Sequence, residues 1–241
     1  IKDYTEAIRL NPNNATAYSN RGLIKYKQGD INGSIMDYTE AIRINPKSAS
    51  IYVSRGFTKS SKGDMDGSIM DFTEAIRLDP NFAEAYNERG SSKRIKGDIK
   101  ESLDDYVEAI RLNPNFSKAY HGRGLTKYTK GDVDGALVDF TEAIRLNPNN
   151  LEAYNDRGVA KFKTDPNGAI VDFTETIRLN PNFANAYLNR GVTKFQKKDQ
   201  NGAKEDFQKF LDLTKNQNDP TTQQNCQKIF KIFPELAPQK K

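Results

Sequence analysis

Apolar residues return along this chain in short stripes at helical spacing, and the stripes come in pairs. Over residues 15–48, Ala17, Tyr18, Arg21, Gly22 and Lys25 share one helical face, Gly29-Asp30 interrupts, and Ile31 to Ile44 resume the period. Gly29 suits the left-handed residue that closes one helix, and Asp30 the cap that opens the next. Pro46 cannot donate a backbone hydrogen bond and restricts Asn45 before it, so the second helix ends there. The run Asp37-Tyr38-Thr39-Glu40-Ala41-Ile42-Arg43-Ile44-Asn45-Pro46 is then rewritten from Asp71, Asp105, Asp139 and Asp172, and an earlier copy starts at Asp3. A worn copy at Asp206 has lost its Arg and Pro. The step is 34 residues, except for one of 33 between Asp139 and Asp172. A fixed period of this length predicts an all-α solenoid, because two helices cannot bury their apolar faces alone and each pair must stack on its neighbours.

The period divides the chain. Residues 1–14 hold the second helix of a truncated repeat, and six units follow at 15–48, 49–82, 83–116, 117–150, 151–183 and 184–217. Phe82, Phe116 and Phe183, between units, are expected to wedge against adjacent repeats. In the fifth unit Thr164-Asp165-Pro166 replaces the Gly-Asp turn, and Asp followed by Pro remains a sound helix start. In the sixth, Lys198 stands where Gly is expected. Beyond the repeats Asp219-Pro220 opens one more helix, within 218–234, whose stripe of Cys226, Ile229, Phe230 and Phe233 suits a cap on the last repeat. Residues 235–241 are expected to be a tail.

The positions shared by these units carry a resemblance. Tyr18, Gly22, Gly29-Asp30, Ser34, Tyr38, Ala41 and Pro46 resemble the tetratricopeptide repeat, with an aromatic residue, a Gly, small residues and a closing Pro at that family's spacings. Tyr recurs at 52, 86, 120, 154 and 187, Gly at 56, 90, 124, 158 and 191, and the small slot holds Ser68, Ser102, Ala136, Ala169 and Ala203. The resemblance covers residues 1–213. It implies a right-handed superhelix of antiparallel helix pairs whose first helices line a concave groove for a protein or peptide. Relatives that hold chaperone C-termini clamp the carboxylate with Lys and Asn on the first groove helix. Ser19 and Leu23 occupy those slots here, so that clamp is absent.

Composition narrows the reading further. The net charge of +5 is unevenly placed: residues 214–241 hold five Lys against Asp219 and Glu235, a net +3, which leaves +2 for the repeats. That is no concentrated basic face, which argues against nucleic acid. One Cys excludes an internal disulfide and a cysteine metal cluster, and one His gives no support to a nucleophilic triad. No enzyme activity, cofactor or metal is expected. No apolar run approaches a membrane span. Ile1 falls inside a repeat, so a targeting signal would precede it, and cytoplasm is only the default compartment.

Two basic columns and one acidic column recur in register: Arg21 and its equivalents, Lys25 and its equivalents, and Asp3, Asp37, Asp71 and onward. The family usually has apolar residues in the two basic slots. A structural ladder is expected, with Arg21 between Asp3 and Asp37 and Arg55 between Asp37 and Asp71. Gly33 and its equivalents lie in the second helix, where Gly costs about 1 kcal/mol relative to Ala unless close helix approach offsets it.

The opposite face of the first helices is where a partner is expected. One row runs Leu23, Phe57, Ser91, Leu125, Val159 and Val192, and a second Tyr26, Ser60, Arg94, Tyr128, Phe162 and Phe195. Between them stand His121 and the amides Asn20, Asn87, Asn155 and Asn189. Leu125, Tyr128, Val159, Phe162, Val192 and Phe195 are expected to give an apolar strip, while Phe57/Ser60 in the second unit and Ser91/Arg94 in the third break the pattern. The expected function is a scaffold that binds an extended or helical segment of a partner. The alternatives are the recruiting arm of an enzyme whose catalytic domain lies elsewhere and an RNA-binding helical repeat. The open face at Tyr4 and Ile8 predicts end-to-end packing of chains.

Overall fold

The computed structural model describes residues 1–238, so the expectation for 239–241 lies outside the described residues. Among these there are fourteen α-helices, and they divide into two units, Ile1–Lys130 and Gly131–Lys241. The first holds α1 (Lys2–Leu10), α2 (Ala15–Lys27), α3 (Ile31–Ile44), α4 (Ala49–Ser61), α5 (Met65–Leu78), α6 (Ala83–Lys96), α7 (Ile99–Leu112) and α8 (Ser117–Lys130). The second holds α9 (Val133–Leu146), α10 (Leu151–Lys161), α11 (Pro166–Leu179), α12 (Ala184–Gln196), α13 (Gln200–Thr214) and α14 (Pro220–Ile232). One 3-10 turn, Pro234–Leu236, follows.

In the first unit α2 packs on α3, α4 on α5 and α6 on α7, and each following first helix also packs on the second helix before it. The second unit repeats this with α10 on α11 and α12 on α13. The core is therefore a row of small clusters. Tyr38, Ala41, Ile42 and Ile51 form one, with Tyr18 and Tyr52 against it. Tyr106, Ala109 and Ala119 form another, and Phe116 packs there from its linker. The buried Ala and Ser columns let the helices approach closely, and the aromatic column of Tyr38, Phe72, Tyr106, Phe140, Phe173 and Phe207 fills the space between. Each such ring contributes about 1.5–3 kcal/mol by its burial.

The turns follow local chemistry. Gly29, Gly63, Gly97 and Gly131 take φ between 83° and 97°, the left-handed conformation that glycine adopts freely. Lys198 does the same work at φ 67°. The glycines near the start of the second helices are explained by the helix caps. Gly33, Gly67, Gly135, Gly168 and Gly202 each donate their N–H to the capping carboxylate of Asp30, Asp64, Asp132, Asp165 or Asp199 at 2.9 Å. A Cβ at any of them would meet that carboxylate. Glu101 stands at the equivalent place in α7, and there Asp98 makes no such bond.

At the end of the chain, Ile229 and Phe233 join Tyr187, Phe207 and Phe210 in one cluster, with Cys226, Phe230 and Leu236 against it. Leu236 thus belongs to the packed end rather than to a tail, and Lys204 pairs with Glu235 at 2.8 Å. Burial pushes the Cys226 thiol up.

Candidate functional site

The charge columns come first, because they decide which residues are free to meet a partner. Arg21 Nε and Nη2 donate to Asp37 Oδ2 and Oδ1 at 2.9 and 2.7 Å, and Lys25 Nζ lies 2.9 Å from the same carboxylate. The guanidinium also lies 5.5 Å from the centre of the Tyr18 ring. Burial would raise the Asp37 carboxyl, but the hydrogen bonds from Arg21 and Lys25 outweigh it and hold it below its usual range. The same arrangement binds Arg55 and Lys59 to Asp71, Arg89 and Lys93 to Asp105, Arg157 and Lys161 to Asp172, and Arg190 and Lys194 to Asp206.

The expected alternation between two aspartates is corrected by this geometry. The third hydrogen bond of these arginines goes to a threonine of the preceding second helix: Thr5 for Arg21, Thr39 for Arg55, Thr73 for Arg89, Thr141 for Arg157 and Thr174 for Arg190. Asp37, Asp71, Asp105, Asp172 and Asp206 each spend their oxygens on the Arg and Lys of their own helix pair. These columns are internal braces.

The opposite face of the first helices is more open. In the first unit Leu23 and Phe57 are each 44% exposed and Tyr128 is 39% exposed. Tyr26 is half-buried; its ring meets Phe57 edge-on at 5.6 Å, and its hydroxyl is 3.0 Å from Ser61 Oγ. Asn20, His121 and Leu125 are half-buried. In the second unit Val159 and Phe162 are half-buried and Val192 is exposed. Phe195 is half-buried because Phe233 covers it, ring to ring at 5.9 Å. It therefore serves the terminal cluster more than an open surface.

The amides form two columns rather than one. Asn87, His121 and Asn155 directly follow the repeat tyrosine, whereas Asn20 and Asn189 stand one place further on. Asn155 and Asn189 still meet, with Asn189 Nδ2 donating to Asn155 Oδ1 at 3.3 Å.

Around Asn87 lie Glu88 and Tyr106, which belong to neither row of the first-helix face, beside Ser91 and Arg94, which do. Asn87 is buried, its Nδ2 donates to Glu88 Oε1 at 3.0 Å, and its Oδ1 has no partner. Burial pushes the Glu88 carboxyl up, against the opposing pull of Asn87 and Lys118. Tyr106 reaches this place from α7. Burial pushes its phenol up, and the neighbouring Arg94 and Ser91 act the other way. The space for it comes from Gly122: a methyl there would fall 2.5 Å from the Tyr106 ring. The pairing of a Tyr in the aromatic column with a Gly in the following first helix was the available signal.

Among the described residues no group of three or more His, Cys, Asp or Glu could hold a metal ion, and no helix is long and apolar enough to cross a membrane.

Family models agree with the repeat. The model for the TPR repeat matches residues 1–29, 22–63, 90–131 and 126–165, and a second tetratricopeptide repeat model matches 49–82 and 184–217. The chain belongs to the tetratricopeptide repeat family. Solved tetratricopeptide structures extend the likeness. YrrB, described as a TPR protein with an unusual peptide-binding site, is 25% identical with a TM-score of 0.60, covering 79% of this chain and 97% of its own. MamA is 25% identical with a TM-score of 0.61, covering 66% and 94%. PilF of Pseudomonas aeruginosa, at 18% identity and a TM-score of 0.76, covers 89% and 96% and speaks for the fold alone. A search of curated proteins found no match. This tetratricopeptide repeat protein thus has the architecture of an interaction scaffold, with its recurring cations committed to buried aspartates.

Proposed function

We propose that the protein is a non-catalytic scaffold that binds an extended or helical segment of a partner on the exposed face of its first helices. The observation that carries this is the set of large apolar groups left open there, Leu23, Phe57 and Tyr128 in one unit and Val192 in the other, beside buried aromatic columns. Exposed apolar patches on a chain that has buried its core commonly mark binding surfaces. The peptide-binding site named for YrrB supports the same reading. Asn20 and His121 in the first unit, and Asn155, Val159, Phe162 and Asn189 in the second, flank these groups with hydrogen-bonding and apolar contacts.

The test is a selection of random displayed peptides on the purified chain, followed by titration of the leading peptide. Replacing Phe57 and Tyr128 together by Ala should weaken its binding by about 2 kcal/mol or more if both are anchors. Thermal melting should hardly change, because both side chains are exposed. Unchanged affinity with an earlier melt would place the rings in the core and sink the reading.

A further inference from the structure

Arginine is almost everywhere committed in this chain. Arg9, Arg43, Arg77, Arg111, Arg145 and Arg178 each pair with a Glu three residues before them, and Arg21, Arg55, Arg89, Arg157 and Arg190 with a buried Asp. Arg94 differs. It sits on α6 in the row that Tyr26, Ser60 and Tyr128 hold on the neighbouring first helices, and its buried Nε has no acceptor. Asn87 and Ser91 lie seven and three residues before it, on the same helical face. Asn87 is 6% exposed and leaves Oδ1 unpaired. A donor and an acceptor are thus both without partners on one short stretch of helix. Such groups destabilise a fold when left so, and in native proteins they call for an explanation.

The surroundings say which ligand fits. Flanking first helices present Phe57 on one side and Leu125 and Tyr128 on the other, so the polar stretch interrupts an apolar face. The Tyr106 hydroxyl hydrogen-bonds with both Arg94 and Ser91, and Glu88 lies near the same hydroxyl. The nearby carboxyl, Glu88, is hydrogen-bonded to Asn87 and faces Lys118. The Arg94 side chain is half-buried here. Its Nε bonds to nothing, so turning the fork outward to meet an oxygen pair gives up only the contact with the neutral Tyr106 hydroxyl, and a carboxylate matches that fork with two parallel hydrogen bonds.

We propose that Arg94, with Asn87 and Ser91, reads an acidic side chain, Asp or Glu, within a partner segment whose neighbouring apolar residues rest on Phe57 and Tyr128. Asn87 Oδ1 would accept a backbone N–H of that segment. This rests on the scaffold reading above and specifies what it selects.

Random displayed peptides selected on the wild-type chain and on Arg94→Gln test it. The wild type should enrich Asp or Glu beside aliphatic or aromatic residues, and Arg94→Gln should enrich the apolar residues alone. For the leading synthetic peptide, changing its acid to the amide should weaken binding to the wild type about tenfold or more, the loss of a charge-assisted pair, and leave binding to Arg94→Gln unchanged. Arg94→Lys should recover part of the affinity, which a purely structural role would not produce. Apolar enrichment without an acid, or an equal penalty on both proteins, overturns the assignment to Arg94 while the scaffold reading stands. No enriched peptide at all overturns both. Preference for single-stranded RNA over every peptide, lost in Arg94→Gln, would overturn the choice of a protein segment.

Discussion

Arg89 and Arg111 offer a controlled comparison of buried and exposed ion pairs within one repeat. Arg89 holds Asp105 through Nε at 3.0 Å and Nη2 at 2.7 Å, and Arg111 holds Glu108 through Nε at 2.9 Å and Nη2 at 2.6 Å. The bonds are alike and the surroundings are not. The Arg89 and Asp105 side chains are 16% and 5% exposed, against 63% and 33% for Arg111 and Glu108. Arg89→Ala leaves a buried carboxylate with Lys93 at 2.8 Å as its remaining cation, and also strips the packing against Tyr86. Breaking a buried pair typically costs about 3–5 kcal/mol, and the surviving Lys93 points to the lower end, about 3. Arg111→Ala should cost no more than about 0.5 kcal/mol. Urea unfolding followed by circular dichroism measures both, with the change in midpoint read at constant slope. The double variant Arg89→Ala/Asp105→Ala should lose less than the sum of its singles, since the Arg89–Asp105 interaction is counted in both singles, while Lys93 is left without its carboxylate. Equal costs for Arg89→Ala and Arg111→Ala would refute the claim that the repeated columns are internal braces.

Other expectations follow from single contacts. Asp64→Ala should lower stability by about 1 kcal/mol through its lost cap, whereas Asp98→Ala, which has no cap bond to lose, should be near neutral in the same unfolding assay. Gly122→Ala gains about 1 kcal/mol of helix propensity but crowds the Tyr106 ring, where overpacking costs about 1–3, so a net loss in melting temperature is expected. Glu88 has a raised folded pKa, so its ionised form costs stability at neutral pH, and that cost fades as pH falls through the raised value towards the ordinary one. Glu88→Gln should therefore stabilise the chain at neutral pH and lose its advantage in acid, as melting curves across that range would show. Deleting residues 219–241 uncovers Phe207 and Phe210, and light scattering should then report self-association with the helical signal retained.

What was legible in the sequence depended on how local the determining contact is. The Gly29-Asp30 turn, the stop at Pro46 and the Asp165-Pro166 start are each set by a few neighbouring residues, so the helix pairs could be drawn from spacing. That Arg21 meets Asp37 could be expected from facing stripes. That its third contact is Thr5 and not Asp3 could not, because it depends on the offset between successive pairs and on Lys25 reaching the same carboxylate. Phe195 shows a different limit. It has the same place in its repeat as Tyr128, yet Phe233, from beyond the last repeat, covers it. Positional equivalence does not reveal what a terminal helix will lie upon. Glu88 was hidden, and Arg94 visible only as a break in its row, for a related reason: Tyr106 reaches both by leaning into the space left by Gly122, a fit made between helices.

Repetition gives those departures their weight. A position filled alike in every unit is held by the stacking itself, as with the Tyr, Gly, Arg and Asp columns, and its chemistry is consumed there. A ligand is read by whatever the stack leaves unspent. On the first-helix face of residues 1–130 that means the exposed Leu23, Phe57 and Tyr128, interrupted by an arginine with no carboxylate and an asparagine with an idle carbonyl. Were the interruption a passive variation, solvent-facing Ser or Lys would serve there at no cost. A buried Nε and a buried Oδ1 without partners instead reduce the stability of the free chain, and a bound segment that supplies both partners would remove that deficit. Selectivity in such a scaffold would then lie in the few residues that break the repeat, while the residues that make it determine only how they are presented.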